Sequence, residues 1–124
     1  MIKRFPTLCV VFLILGCETA LSSESFIVCR MTKDVLSKGV HEASEYDLRI
    51  MLDDSRRIIK TDDVHGMFTT VTSYNDLEIK GRMEPFDFGL DREKGTFARA
   101  AKTRSGAIVE GGPCHKIERP KAKF

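Results

Sequence analysis

The chain has 124 residues and carries 20 Lys or Arg against 18 Asp or Glu, which gives a formal net charge of +2. This length fits one folded domain, and the near balance of charge argues against a dedicated nucleic-acid binder. Only 8% of the residues are aromatic and none is Trp, so few side chains are available to line a wide apolar pocket.

The first residues have the pattern of an export signal. Lys3 and Arg4 precede the apolar stretch 8–15 (LCVVFLIL), which is far shorter than a membrane-spanning helix. Ala20 and Ser22 occupy the small-residue positions of a signal peptidase site, so one route predicts cleavage after Ser22. Residues 1–22 are then a removed signal peptide, and the protein is periplasmic or secreted.

A second processing route starts from residues 14–17 (ILGC). These residues resemble a bacterial lipobox, in which Cys17 is lipidated and becomes the first residue of the mature protein. Lipidation at Cys17 would make the protein a membrane-anchored lipoprotein, and we expect contact with a membrane only in that case. The sequence leaves both routes open.

Two cysteines remain in the mature protein on either route. Cys9 leaves with the apolar stretch, and Cys17 is either removed or lipidated, so Cys29 and Cys114 are left. Paired thiols in an exported chain are normally oxidised. We therefore predict one disulfide, which closes most of the mature chain into a loop and stabilises it by about 4 to 5 kcal/mol.

After the signal, apolar residues recur mostly with period two, which is typical of half-buried β-strands. Turns rich in Asp, Asn, Ser and Gly separate most of these segments. We expect a long loop or a short helical turn at 32–44, a polar loop at 61–66 and a bend at 111–113. The pattern predicts about eight short strands, at residues 25–31, 46–52, 56–60, 67–74, 77–83, 86–90, 96–102 and 107–109.

This order of elements predicts an all-β antiparallel meander, closed into a small barrel or, as the alternative, folded as a sandwich. We expect the Cys29–Cys114 disulfide to join the first strand to the last and to seal the seam where an open sheet would expose its edges. The predicted organisation is one β domain at 23–116, followed by a basic tail at 117–124 (IERPKAKF).

The sequence offers weak candidates for a metal site. His41 and Glu42 lie in one predicted loop and Asp62, Asp63 and His65 in another, but their spacing matches no metal-binding motif. We interpret them as solvated loop residues. The sequence therefore predicts no metal and no cofactor.

Signatures of catalysis are equally weak. Residues 87–89 (DFG) spell the magnesium-binding triplet of protein kinases without any other kinase element, so we interpret Phe88 as a core residue and Gly89 as a closely packed strand position. The chain has no Gly-x-Ser-x-Gly nucleophile elbow. We predict a protein that is not an enzyme and has no catalytic residues.

Two resemblances bear on the architecture. Residues 86–97 and 111–114 resemble small exported bacterial domains in which a strand ends in an Asp-Arg-x-x-Gly turn and a later Gly-x-Cys closes the chain. The layout, with one cysteine near each end, is also similar to that of periplasmic lysozyme inhibitors, which are small disulfide-bonded β-barrels. The first resemblance implies an exported β domain, and the second implies an inhibitor.

We hypothesise a cell-envelope protein with a binding or structural role, whose partner is another envelope protein or a polymer and not a nucleic acid. Residues 32–44 and 61–66 are the expected contact surface, because rigid scaffolds carry function on their connecting segments. One alternative is a periplasmic inhibitor of lysozyme or a protease. Another is a carrier with a small ligand inside the barrel.

Overall fold

Eight β-strands follow one another along residues 23–118, which are the residues that the computed structural model describes. A 3-10 helix, Val64–Phe68, connects the third strand to the fourth. The predicted signal peptide, with Cys9 and Cys17, and residues 119–124 of the basic tail lie outside the described residues. The strands are β1 (Glu24–Ser37), β2 (Val40–Asp53), β3 (Ile58–Thr61), β4 (Thr69–Tyr74), β5 (Glu78–Met83), β6 (Phe86–Asp91), β7 (Thr96–Thr103) and β8 (Gly106–Ile117).

The period-two pattern gives each strand an inner and an outer face. Side chains in the inner phase fill the interior, and the Phe88 and Phe97 rings stack there with centroids 5.9 Å apart. Phe88 is therefore the core residue that the sequence predicts. The core consists of Ile27, Cys29, Met31, Leu48, Ile50, Leu52, Ile59, Ile79, Met83, Phe88, Leu90 and Phe97.

The strands form one antiparallel sheet in the order β3-β2-β1-β8-β7-β6-β5-β4. Strands that are consecutive in sequence are neighbours in the sheet, except β3 and β4, which lie at its two edges. The sheet curls until these edges approach one another, so the fold is a nearly closed barrel. The prediction of an all-β meander is confirmed, with the barrel rather than the sandwich.

The predicted disulfide is confirmed, but its expected position at the seam is wrong. Cys29 and Cys114 lie directly opposite one another in the β1–β8 ladder and are bonded, with Cα atoms 3.9 Å apart. This ladder runs from Phe26–Ile117 to Ser37–Gly106, in the middle of the sheet. The expected position requires the first and last strands to be the edges of the sheet, whereas the edges are β3 and β4 and the seam lies between them.

The predicted loop at 32–44 is also wrong, because these residues form a β-hairpin. Lys38 and Gly39 have φ angles of 50° and 80°, and the ladder resumes at once with the pair Ser37–Val40. Such a two-residue turn with positive φ matches the twist of the flanking strands. The far half of the hairpin is stabilised by pairing of β1 with β8.

Three smaller expectations need correction. The polar loop predicted at 61–66 is shorter, because Thr61 is the last residue of β3 and residues 64–66 belong to the 3-10 helix. The strand predicted at 67–74 begins later, because Met67 and Phe68 also belong to this helix. The chain does not bend at 111–113, because β8 continues to Ile117 in an unbroken register with β1.

None of the described helical segments has the length and apolar character needed to cross a membrane.

The antiparallel order divides the connections between two ends of the barrel. The proximal end contains Ser23, Ile117 and the turns 54–57, 75–77 and 92–95. The distal end contains the turns 38–39, 84–85 and 104–105 and the 3-10 helix Val64–Phe68. The described chain therefore enters and leaves at the proximal end, and the distal end is built only from internal connections.

Candidate functional site

An ionic cluster is buried inside the barrel toward its distal end. Arg99 lies in the inner phase of β7 with only 1% of its side chain exposed, and Glu110 lies opposite it on β8. The guanidinium donates to Glu110 Oε1 from Nε at 3.3 Å and from Nη2 at 3.2 Å, and it also donates to the Asp63 carboxylate. Tyr46 on β2 donates its hydroxyl proton to Glu110. We call Arg99, Glu110, Asp63 and Tyr46 the Arg99 cluster.

Aromatic and sulfur contacts complete the surroundings of Arg99. Its Cζ atom lies 4.7 Å from the centroid of the Phe86 ring, and Nη1 is 3.7 Å from the sulfur of Met83. A cation over a ring face is stabilised by the ring quadrupole, most strongly where water is excluded. The Arg99 side chain is thus fixed by β2, β5, β6, β8 and the segment after β3 together.

The electrostatics of the cluster follow from burial and pairing. Burial, and the hydrogen bond to Glu110, raise the pKa of Tyr46 to about 12, so this hydroxyl is neutral and acts as a donor at physiological pH. Burial also raises the pKa of the Asp63 carboxyl, but the hydrogen bonds from Arg99 and Thr61 outweigh it, and the pKa lies below its ordinary value. Asp63 is therefore ionised and attracts Arg99.

Asp63 connects the Arg99 cluster to the 3-10 helix that it precedes. Thr61 donates its hydroxyl proton to Asp63 Oδ1 at 2.6 Å. Gly66 packs so closely on the end of β3 that a Cβ atom there would lie 2.4 Å from the Thr61 carbonyl oxygen. One side of the helix is thereby held against β3.

The other side of the 3-10 helix is held by the β5–β6 turn. His65 Nδ1 lies 3.1 Å from the Glu84 carbonyl oxygen, and the His65 ring meets Phe86 edge-on at 4.8 Å. The backbone N–H of Glu84 donates to the Phe68 carbonyl oxygen at 3.3 Å. The helix therefore closes the distal part of the seam between β3 and β4.

This fixed helix exposes apolar side chains to solvent. Val64, Met67 and Phe68 have exposed fractions of 64%, 73% and 63%, and we call these three residues the helix patch. Clustered exposed apolar side chains are typical of surfaces that bind a partner. The helix patch and the Arg99 cluster beneath it form the candidate functional site.

The proximal part of the seam is held by a different set of contacts. Asp54, after β2, accepts hydrogen bonds from Tyr74 at 2.7 Å and from Arg92 at 3.2 Å. The Arg92 side chain lowers the pKa of the Asp54 carboxyl. These contacts connect the turn after β2 with the end of β4 and the β6–β7 turn.

A cavity of about 330 Å³ opens beside these proximal contacts. Its apolar wall includes Ile27, Leu52 and Leu90, and its polar rim includes His115 and Lys116. This volume lies at the lower limit for small-molecule pockets.

The candidate metal ligands lie in two separate parts of the structure. His41 binds Asp34 on the β1–β2 hairpin, with Nε2 2.8 Å from the carboxylate oxygen, whereas His65 contacts the β5–β6 turn. Glu42 is exposed, and Asp62 accepts a hydrogen bond from the backbone N–H of Arg49 at 3.3 Å. Within residues 23–118 no three His, Cys, Asp or Glu side chains are grouped to hold a metal ion.

The DFG triplet proves to be an ordinary part of β6. Asp87 binds Arg82 on the outer face at 3.0 Å, and Phe88 packs in the core. The close packing expected at Gly89 is wrong, since a Cβ atom there would meet nothing nearer than Lys80 Cγ at 3.9 Å. On the neighbouring strand β5, Gly81 is closely packed, since a Cβ atom there would lie 2.1 Å from the Thr70 carbonyl oxygen.

Sequence reasoning included Asp63 among its candidates but missed Arg99, Glu110 and Tyr46. A signal for two of them was present, because Arg99 stands between Phe97 and Ala101 in the inner phase of a strand, and Glu110 stands in phase with Cys114. A charge in an inner phase predicts a buried ion pair, since an unpaired buried charge is too costly.

Comparisons with known proteins found no matching family model, no matching curated protein and no matching solved structure. The resemblances to small exported bacterial domains and to lysozyme inhibitors therefore stay predictions.

Proposed function

We propose that this chain is an exported, non-enzymatic cell-envelope protein that binds a partner protein through the helix patch. One observation carries the proposal: three apolar side chains project into solvent from a short helix that β3 and the β5–β6 turn hold in place. Met and Phe side chains, such as those of Met67 and Phe68, are enriched in the cores of protein–protein interfaces.

The Arg99 cluster supports this role because it fixes the helix before any partner arrives. Asp63 is held by Arg99 and Thr61, and the helix begins at the next residue. A surface that is already in its bound conformation loses little conformational entropy on association. The buried ion pair thus contributes to affinity without touching the partner.

The Cys29–Cys114 disulfide supports export. Disulfides persist in oxidising compartments such as the periplasm and the extracellular space, and they are rare in the cytosol. Ser23, which is the new N-terminus if the signal is cut after Ser22, lies at the proximal end, opposite the helix patch.

The packed interior favours surface binding over the alternative of a ligand carrier. Phe97, Met31, Leu48 and other large side chains fill the barrel, and the Arg99 cluster occupies its distal part. A carrier of this strand number needs an interior that its own side chains leave open. The cavity of about 330 Å³ beside Asp54 and Arg92 is small and opens to solvent.

Site-specific photocrosslinking tests the proposal. A photoreactive phenylalanine analogue replaces Phe68 in one variant and Leu77 in the other, because Leu77 is an exposed apolar residue at the proximal end. Both variants are expressed as the full chain, and irradiation is carried out on intact cells. We expect a discrete protein adduct from position 68 and none from position 77.

Equal adducts from both positions, or none from position 68, would contradict the proposal. The inhibitor alternative is tested separately: the purified protein and its Phe68→Ser variant are assayed as inhibitors of lysozyme and common proteases. Inhibition that Phe68→Ser leaves unchanged would assign the function to another surface.

A further inference from the structure

A second surface at the distal end is formed by two hairpin turns that lie side by side. The Lys38 N–H donates to the Ser105 carbonyl oxygen at 3.0 Å, and the hydroxyl oxygens of Ser37 and Ser105 are 2.7 Å apart. Gly106 packs so closely on β1 that a Cβ atom would lie 1.9 Å from the Leu36 carbonyl oxygen. We call residues 36–40 and 102–107 the hairpin tip.

The hairpin tip is basic on a molecule that is otherwise acidic. It contains Lys38, Lys102 and Arg104 and no Asp or Glu, whereas residues 23–118 as a whole contain 15 Lys or Arg and 17 Asp or Glu. All three cations are exposed, and none forms an ion pair with another described residue. The positive charge is therefore available to a ligand.

The nearest acidic groups along the chain lie outside the hairpin tip. Asp34 is bound to His41 with 2.8 Å between Nε2 and Oδ1. Glu42 lies opposite Val35 in the β1–β2 ladder, two residue pairs below the turn. The outermost part of both hairpins thus has only cationic ionisable groups.

Two exposed aliphatic side chains accompany the cations. Leu36 and Val40 have exposed fractions of 44% and 60%. Leu36 lies opposite Ala107, and Ala107 lies opposite Lys102, so an aliphatic and a cationic side chain share the outer face of neighbouring strands. A hydrophilic polyanion would neutralise the cations but would leave the aliphatic groups in water.

We infer that the hairpin tip binds the surface of an anionic phospholipid bilayer. Phosphate headgroups neutralise Lys38, Lys102 and Arg104, and the acyl boundary just below them covers Leu36 and Val40. This binding is independent of the proposed function, because it uses neither the helix patch nor the Arg99 cluster.

Vesicle co-sedimentation of the exported, oxidised protein tests the inference. Vesicles of phosphatidylcholine with about 30 mol% phosphatidylglycerol are compared with vesicles of phosphatidylcholine alone. We expect binding to the anionic vesicles only, weakened by added salt. The triple variant K38Q/K102Q/R104Q should bind roughly 100-fold more weakly, since each basic residue near an anionic surface contributes about 1 kcal/mol.

A matched triple variant, K60Q/K94Q/K116Q, removes three exposed cations that lie outside the hairpin tip and form no ion pair with another described residue. It should bind the anionic vesicles like the unmodified protein. Equal loss in both triple variants would overturn the inference, because only net charge would then matter.

The double variant L36S/V40S distinguishes a bilayer from a soluble polyanion. It should weaken vesicle binding and leave any binding to inorganic polyphosphate unchanged. The inference fails if the anionic vesicles bind no protein, or if L36S/V40S binds them as well as the unmodified chain.

Discussion

Arg99 connects five segments of the barrel, because its side chain contacts β2, β5, β6, β8 and the segment after β3. It is the one cation among two carboxylates, of which Glu110 is buried and Asp63 is partly exposed. Arg99 and Glu110 neutralise one another across neighbouring strands. If the contact between Arg99 and Asp63 breaks, the buried Arg99 side chain is therefore still paired. The Arg99–Glu110 pair therefore joins two strands within the sheet, whereas the Arg99–Asp63 contact joins the sheet to the segment that closes the seam.

Replacing Arg99 with Met should reduce the free energy of unfolding by about 3 to 5 kcal/mol, because Glu110 would remain buried without its partner. Urea denaturation followed by circular dichroism measures this loss. The double variant R99M/E110L should recover most of it, since a buried pair is often replaceable by apolar residues. No recovery in the double variant would mean that packing of the Arg99 stem, rather than charge, is what matters.

Asp53 makes stability depend on pH at the proximal end. Hydrogen bonds from Ser23 and Arg56 hold the pKa of the Asp53 carboxyl well below its usual range. Its stabilising contribution is therefore complete above the pKa of the unfolded chain and is lost as the pH falls toward the folded value. Between about pH 5 and pH 2 the unmodified protein should lose more stability than Asp53→Asn, as measured by urea denaturation at each pH.

At the acidic limit the two proteins should converge, because the carboxyl is then neutral in both. A constant difference across this range would show that Asp53 stabilises the fold by shape alone. Asp91 offers a control variant, Asp91→Asn, because within residues 23–118 its side chain accepts hydrogen bonds only from the backbone N–H groups of Glu93 and Lys94 in its own turn.

Gly66 and Gly89 should respond oppositely to alanine. At Gly66 a Cβ atom would meet the Thr61 carbonyl oxygen at 2.4 Å, so Gly66→Ala must displace the 3-10 helix and lower the melting temperature. At Gly89 the nearest atom is 3.9 Å away, and the substitution removes freedom from the unfolded chain. Differential scanning calorimetry should therefore find Gly89→Ala unchanged or slightly more stable. Similar decreases in melting temperature for both variants would contradict the close contact between Gly66 and Thr61.

At the scale of strands and turns, local pattern predicted most of the sheet. The alternation of Leu48, Ile50 and Leu52 located the inner face of β2, and the turn at 91–95 was recognised from its Asp and Gly residues. Gly95 there has a φ of 71°, and Asp91 accepts the N–H groups of Glu93 and Lys94. Period and turn chemistry are short-range signals, so one sequence is enough to read them.

The hairpin beyond Met31 could not be read in this way. Both of its faces carry polar residues and most are exposed, so no alternation marks the strands. Its order comes from pairing with β8, which begins about 70 residues further along the chain. The helix patch was missed for a related reason, because Met67 and Phe68 have the composition of the strand that follows them.

The disulfide should contribute about 4 to 5 kcal/mol to stability, because it joins positions 85 residues apart in the chain. Comparing the oxidised protein with the double variant C29A/C114A by urea denaturation measures this contribution. The β1–β8 ladder should survive in the variant, since the backbone pairs on either side of Cys29 do not depend on the sulfur atoms. Loss of all β structure on reduction would show that the ladder needs the covalent bond to form.

The whole molecule has two ends with different composition. Five of the seven exposed large apolar side chains of residues 23–118 belong to the helix patch or the hairpin tip, both at the distal end. Strand β1 has 14 residues and is about 45 Å long, so this end is well separated from the proximal end where Ser23 lies. The sequence predicted neither this polarity nor the seam, because both depend on which strands meet around the barrel.

The position of the seam also bears on the order in which the barrel assembles. Around the barrel, β4 to β8 follow one another in chain order, and β1 to β3 then follow β8 in chain order. The pairing of β1 with β8 is therefore the one strand pairing in the sheet between segments that are far apart in the sequence. A circular permutant that starts at Thr69, ends at Phe68 and has a short linker from residue 118 to residue 23 would make every pairing local. Because local topologies fold faster, reduced permutant should refold faster than the reduced parent in stopped-flow experiments, and the disulfide should stabilise it less.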